Sequence, residues 1–92
     1  MPVEIGTVTT FPHQKPDKAQ VLKIGEECME VFSAWEDYDR NGYLYSEERT
    51  HLVDECTDLI TATCNLLAAI GVDDMRDAMA DCVERNRARG RL

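Results

Sequence analysis

Five carboxylates are spaced in a way that could do chemistry. Glu26, Glu27 and Glu30 stand in one segment and Glu55 and Asp58 in another, with 24 residues between Glu30 and Glu55. Glu27 and Glu30 are three apart, as are Glu55 and Asp58. On a helix such pairs share a face, about 60° apart. Like charges this close repel, so the helix gains nothing from them unless a cation sits between. Glu27, Glu30, Glu55 and Asp58, offered by two facing helices, would make an oxygen-rich cage for a hard divalent ion such as Mg²⁺. Spacing alone leaves a second reading open, that of a solvated acidic face.

The elements that must position these residues are helical. Residues 1–16 carry no helical period, and Pro12 and Pro16 oppose helix there, so an extended arm lying on a neighbouring surface is expected. Asp17 is placed to cap a first helix running to about Asp39, with Val21, Cys28, Phe32 and Trp35 on its apolar face and the acids opposite. Core packing is the default for Phe32 and Trp35. Asn41-Gly42 stops that helix, because both residues tolerate a left-handed backbone. Ser46 opens a second helix, with Glu47 and Glu48 where its N-terminus favours acids. Its apolar stripe takes in Leu52, Val53, Cys56, Leu59, Ile60, Thr63, Leu66, Leu67 and Ile70, too broad for one helix to cover, and Gly71 ends it. Asp73 or Asp74 caps a third helix that closes on four arginines between Glu84 and Arg91. The pattern predicts an all-α fold in which residues 17–92 form an antiparallel bundle of three main helices, completed by oligomerisation as a homodimer or homotetramer.

Composition narrows the partners. The formal net charge of −8 argues against general nucleic-acid binding, which needs a basic face for phosphates. The apolar run from Leu66 to Val72 is far too short to cross a bilayer, so no membrane partner is expected. Cys28, Cys56, Cys64 and Cys82 form no C-x-x-C pair, which disfavours zinc. They read instead as small buried hydrophobes in a reducing compartment. Met1 to Thr10 lacks the basic start and apolar core of a secretory signal, and a cytoplasmic location is expected. His13 and His51 stand alone in sequence and suggest no catalytic pair.

Glu26-Glu27-x-x-Glu30 followed by Glu55-x-x-Asp58 resembles the E-E-x-x-E … E-x-x-D signature of MazG-like nucleotide pyrophosphohydrolases. These are all-α enzymes related to phosphoribosyl-ATP pyrophosphohydrolase and the dimeric dUTPases. The likeness continues through the apolar run Leu59–Gly71 and the closing Arg85-Asn86-Arg87-Ala88-Arg89-Gly90, and covers roughly Gln20 to Leu92. It implies Mg²⁺-dependent hydrolysis of a nucleoside triphosphate to the monophosphate and pyrophosphate. It also implies roles. Glu27, Glu30, Glu55 and Asp58 would be the Mg²⁺ ligands. Glu26 would bind a further ion or orient the attacking water. Arg85, Asn86 and Arg89 would reach substrate phosphates, which suit guanidinium forks.

A different class of function competes. Asp37-Tyr38-Asp39-Arg40-Asn41-Gly42-Tyr43-Leu44-Tyr45-Ser46-Glu47-Glu48 fits the twelve-residue EF-hand calcium loop. Asp37, Asp39, Asn41 and Glu48 would be ligands, and Gly42 would supply the sharp turn. The alternative is thus a non-catalytic calcium-binding helical module. It has no second loop to pair with, and Glu36 and Arg49 flank it where apolar residues usually stand.

Overall fold

Asp17 starts the structured part of the chain: its Oδ1 accepts the Gln20 N–H at 3.0 Å and satisfies a donor that the first helical turn leaves unpaired. The computed structural model describes all 92 residues and contains three helices and no strand. Helix α1 spans Lys18–Arg40, α2 Ser46–Ala69 and α3 Arg76–Ala88. No helix is long and apolar enough to cross a membrane.

The α1–α2 turn takes its shape from two consecutive residues with positive φ. Of the expected pair only Gly42 (64°) takes it; the other is Tyr43 (65°), while Asn41 stays at −88°. Tyr43 is held in that uncommon conformation by its hydroxyl, which donates to Asp39 Oδ1 at 2.6 Å, and by its ring, 4.8 Å from that of Tyr38. The bond to the Asp39 carboxylate, and then that group's charge, raise the Tyr43 phenol above its ordinary pKa. At the far end of α2, Gly71 (φ 86°) reverses the chain, and the Val72 N–H reaches back to the Leu67 carbonyl at 2.9 Å.

The α1–α2 seam follows a heptad. On α1 the shielded positions are Gln20, Ile24, Glu27, Val31, Ala34 and Tyr38, steps of four and three in alternation. On α2 the same alternation runs through Glu48, Leu52, Glu55, Leu59, Ala62, Leu66 and Ala69. Ala34 and Ala62, only 1% and 5% exposed, are the two small residues that let the backbones close. Asn41 Nδ2 donates to Glu48 Oε1 at one end, while Gln20 and Asn65 share a cleft at the other, so the two helices run antiparallel.

This seam corrects two expectations. Val21, Cys28, Phe32 and Trp35, the anticipated core face of α1, are all exposed, and α2 packs on the neighbouring stripe that carries Glu27. None of the four cysteines is buried: Cys28 is exposed and Cys56, Cys64 and Cys82 are half-buried. The third helix also departs from a simple bundle, because α3 packs against neither α1 nor α2. Its start is fixed by Asp74, whose Oδ1 accepts the Arg76 N–H at 3.0 Å and whose carboxylate is gripped by the Arg76 guanidinium. The arm lies without regular structure and is tied to α2 where the Phe11 N–H donates to Asn65 Oδ1 at 2.9 Å.

Candidate metal centre

The heptad explains how carboxylates from separate helices meet. Glu27 and Glu55 occupy seam positions that normally hold apolar side chains. Their side chains are 13% and 16% exposed, shielded by the facing helix. Asp58 follows Glu55 by almost one turn, at the solvent margin of the seam. One carboxylate oxygen from each of Glu27, Glu55 and Asp58 lies within 4.8 Å of the others, and no other trio of acids, cysteines or histidines in the chain converges this way.

The trio has two nitrogen-bearing neighbours, Lys23 and His51, each one helical turn before the acid it serves. Lys23 Nζ lies 3.0 Å from Glu27 and 3.6 Å from Glu26. Its hydrogen bond to Glu27, reinforced by the Glu27 charge, raises the ammonium above its ordinary pKa. His51 Nε2 lies 3.7 Å from Glu55, a contact that becomes an ion pair only when the imidazole is protonated. Two carboxylates shielded at a helix seam with a third at its edge form a pocket whose negative charge is only partly compensated, since a single lysine pairs directly with one of them. The donor set is all oxygen, which suits hard divalent cations and not zinc or copper.

Three of the four expected ligands therefore come together. Glu30 does not join them: it stays exposed and outside the cluster. Glu26 is also exposed, its carboxylate turned to Lys23. Arg85 and Arg89 lie exposed at the end of α3, and Asn86 donates to Cys82 Sγ while accepting from Arg91. Because α3 packs on neither α1 nor α2, these three residues are not assembled with the carboxylates in the single chain.

The EF-hand arrangement is not formed. Helix α1 runs through Arg40, so Asp37 and Asp39 sit on its last turn and not in an open loop. Two residues apart on a helix, they point about 160° away from each other. Asp37 accepts from Arg40 at 3.2 Å, Asp39 from the Tyr43 hydroxyl, and Glu48 from Asn41 at 3.3 Å. Asp37 and Asp39 are thus engaged with separate partners, while Asn41 and Glu48 pair with each other and Glu48 Oε2 is buried without a hydrogen bond.

A cleft of about 430 Å³ adjoins the trio, lined among others by Phe11, Gln14, Gln20, Lys23, Asp58 and Asn65. Gln20 and Asn65 are buried carboxamides, Asn65 only 3% exposed. Lys23, Gln20, Asn65 and the arm residues were not singled out from sequence. The signals were present in part: Lys23 precedes Glu27 by four, and Asn65 is a polar interruption of the apolar run, two turns beyond Asp58. Nothing in the order of residues announces that the arm closes over this cleft.

Comparison of the chain with family models, with curated proteins and with solved structures finds no match.

Proposed function

We propose that the protein is a Mg²⁺-dependent nucleotide pyrophosphohydrolase of MazG-like type, cleaving a nucleoside triphosphate to the monophosphate and pyrophosphate. The observation that carries this reading is the convergence of Glu27, Glu55 and Asp58 across the α1–α2 seam, two of them at shielded positions. Carboxylates at such positions cost stability unless they are compensated, which favours a cation-binding purpose over a solvated face. The resemblance of the five-acid signature to MazG-like enzymes supplies the reaction class.

In this reading Glu27, Glu55 and Asp58 hold the ion. When bound, Mg²⁺ offsets charge on phosphoryl oxygens and lowers the pKa of a coordinated water. The chain's own residues bind and orient the rest of the substrate. Lys23 stands at the junction of the trio and the cleft, where its ammonium can turn from Glu27 to a phosphate oxygen. The cleft falls within the roughly 300–1,000 Å³ of small-molecule sites. Phe11 and the carboxamides of Gln14, Gln20 and Asn65 give it an aromatic surface and paired donors and acceptors. Glu26 and Glu30, exposed beside the cluster, are candidates for ordering water or a further ion. Arg85, Asn86 and Arg89 have no role in this reading within one chain.

The test is pyrophosphate release from a panel of nucleoside triphosphates with and without Mg²⁺. The wild-type protein releases it only with the metal. Glu55→Gln and Asp58→Asn fall by more than the ~10–100-fold typical of a change one layer out from a metal. Absence of release from every nucleotide, or unchanged rates in both variants, overturns the reading.

A further inference from the structure

Little holds the arm to α2. Residues 1–14 make no backbone–backbone hydrogen bond, and the one hydrogen bond joining them to the helices is that of the Phe11 N–H to Asn65 Oδ1, 2.9 Å long. Of this stretch only Val8, Thr10 and Gln14 are even partly covered. Open space lies beneath it on both sides of Asn65. A cavity of about 860 Å³ separates residues 6–10 from the end of α2, where Cys64 lines it. The other space is the cleft of about 430 Å³ that Phe11 and Gln14 border. A segment packed for permanence leaves no such voids. The covering piece is also bent at each end. Gly6 has a φ of 84° and His13 a φ of 62°, a left-handed conformation uncommon for any residue with a side chain. A Cβ at Gly6 would meet nothing within 4 Å, so this glycine serves the bend and not close packing. Pro12 stiffens the piece beside His13 and keeps Phe11 extended.

We propose that residues 7–12 form a strap, hinged at Gly6 and His13 and latched by Phe11 on Asn65, whose release opens the cleft beside the carboxylate trio. In the latched form Phe11 stands at the wall of the cleft and occupies the Asn65 oxygen. In the released form the cleft loses that wall, and Asn65 offers both ends of its carboxamide to whatever enters. Asn65 is only 3% exposed, so leaving its oxygen without a donor is costly. A donor from water or from an entering ligand must replace the Phe11 N–H, which makes strap release and ligand entry a single exchange of one hydrogen bond for another. The voids on either side mean that release gives up few packed contacts. The same movement uncovers Cys64, half-buried beneath residues 6–10. The strap is read from the arm and α2 alone and does not depend on what the cleft binds.

The experiment compares the full chain with His13→Gly and His13→Pro, which remove the same imidazole and act on the hinge in opposite senses. Glycine takes a φ of 62° freely and favours the latched form, whereas proline fixes φ near about −65° and forbids it. His13 lies outside the three helices, so helicity stays constant across the series. Alkylation by iodoacetamide, without any ligand, is followed at each cysteine by peptide mass spectrometry, with exposed Cys28 as the internal reference. Relative to wild type, Cys64 reacts about 3-fold or more slowly in His13→Gly and about 3-fold or more quickly in His13→Pro. That figure is the ~5–30-fold worth of the left-handed preference, less the freedom glycine gains in the released strap. Hydrogen exchange at the Phe11 amide follows the same order and is faster in every protein than at the mid-helix amides of α2. Equal Cys64 rates in the three proteins overturn the proposal. So does a wild-type Phe11 amide that exchanges as slowly as those of α2, and so does a Cys28 rate that changes in parallel with that of Cys64. Both readouts are taken without nucleotide, so they decide the strap even where no nucleotide is turned over.

Discussion

Glu55→Gln separates a metal centre from an acidic surface by a reversal of stability. In the wild-type protein Glu55 stands within 4.8 Å of carboxylates of both Glu27 and Asp58. Two unit charges at that distance repel by ~3.5 kcal/mol at an effective dielectric of 20 and by ~1 kcal/mol in water. Asp58 is exposed and Glu27 is paired with Lys23, so each repulsion is taken near the aqueous end of this range. The lost contact with His51 costs at most about 1 kcal/mol, as for other partly exposed pairs. Glu55→Gln, nearly isosteric and able to keep its place in the seam, should therefore stabilise the metal-free protein by about 1 kcal/mol. For a domain of this size that is about 4–8 °C in Tm. With Mg²⁺ at 100 times its Kd, the wild-type protein gains ~2.7 kcal/mol and the variant little. The order of stability then inverts: the variant melts higher in EDTA and the wild type melts higher in Mg²⁺. Thermal unfolding followed by circular dichroism reads this directly, with protein concentration held fixed. A Glu55→Gln protein that melts lower in EDTA would refute the electrostatic reasoning. A Mg²⁺ shift equal in both proteins would refute the assignment of Glu55 as a ligand.

Two further predictions concern the elements around the site. Asn65→Ala removes the acceptor of the Phe11 N–H in a shielded place, at a cost of about 1–3 kcal/mol, and frees the arm. Hydrogen exchange should show the Phe11 amide losing protection while α1 and α2 keep theirs; loss of protection across all three would mean that Asn65 supports the helices instead. Asp74→Asn tests the start of α3. The hydrogen bond from the Arg76 guanidinium, and then that from its backbone N–H, hold the Asp74 carboxyl below its ordinary value of 3.8. A carboxyl whose pKa is lower folded than unfolded stabilises the folded form above the unfolded value, and the benefit is lost as pH falls through the folded one. The helicity difference between wild type and Asp74→Asn should thus hold at neutral pH, begin to shrink as the pH approaches 3.8, and vanish once the pH has fallen below the lowered folded value. A difference that persists in strong acid would exclude the carboxylate as its cause.

The helices were legible because their signals are local. Asp17 as a cap, Gly42 in the turn and Gly71 after the last helical carbonyls each act within a few residues, and all three do as the sequence suggests. What was not legible is which stripe of α1 faces α2. Hydrophobicity points to Val21, Cys28, Phe32 and Trp35, and the chain instead closes along Gln20, Ile24, Glu27, Val31, Ala34 and Tyr38. Backbone approach offers a physical reason. Ala34 and Ala62 allow two helices to touch closely, whereas a Phe32–Trp35 face is too bulky for a narrow two-helix seam. The same choice carries Glu27 and Glu55 into shielded positions, where a sequence optimised only for the helix pair would place leucine. It leaves the largest apolar side chains of α1 outside, uncovered. Both departures from simple hydrophobic patterning have the same form: each leaves a surface that this chain alone does not satisfy. Acids gather at the seam and its edge, and the largest aromatics of α1 stand uncovered away from it. Spacing along a helix gives a residue's angle about its own axis and says nothing of whether another helix is packed there, which is why Glu30 stands outside the trio and Arg85 and Arg89 stand apart from it in the single chain.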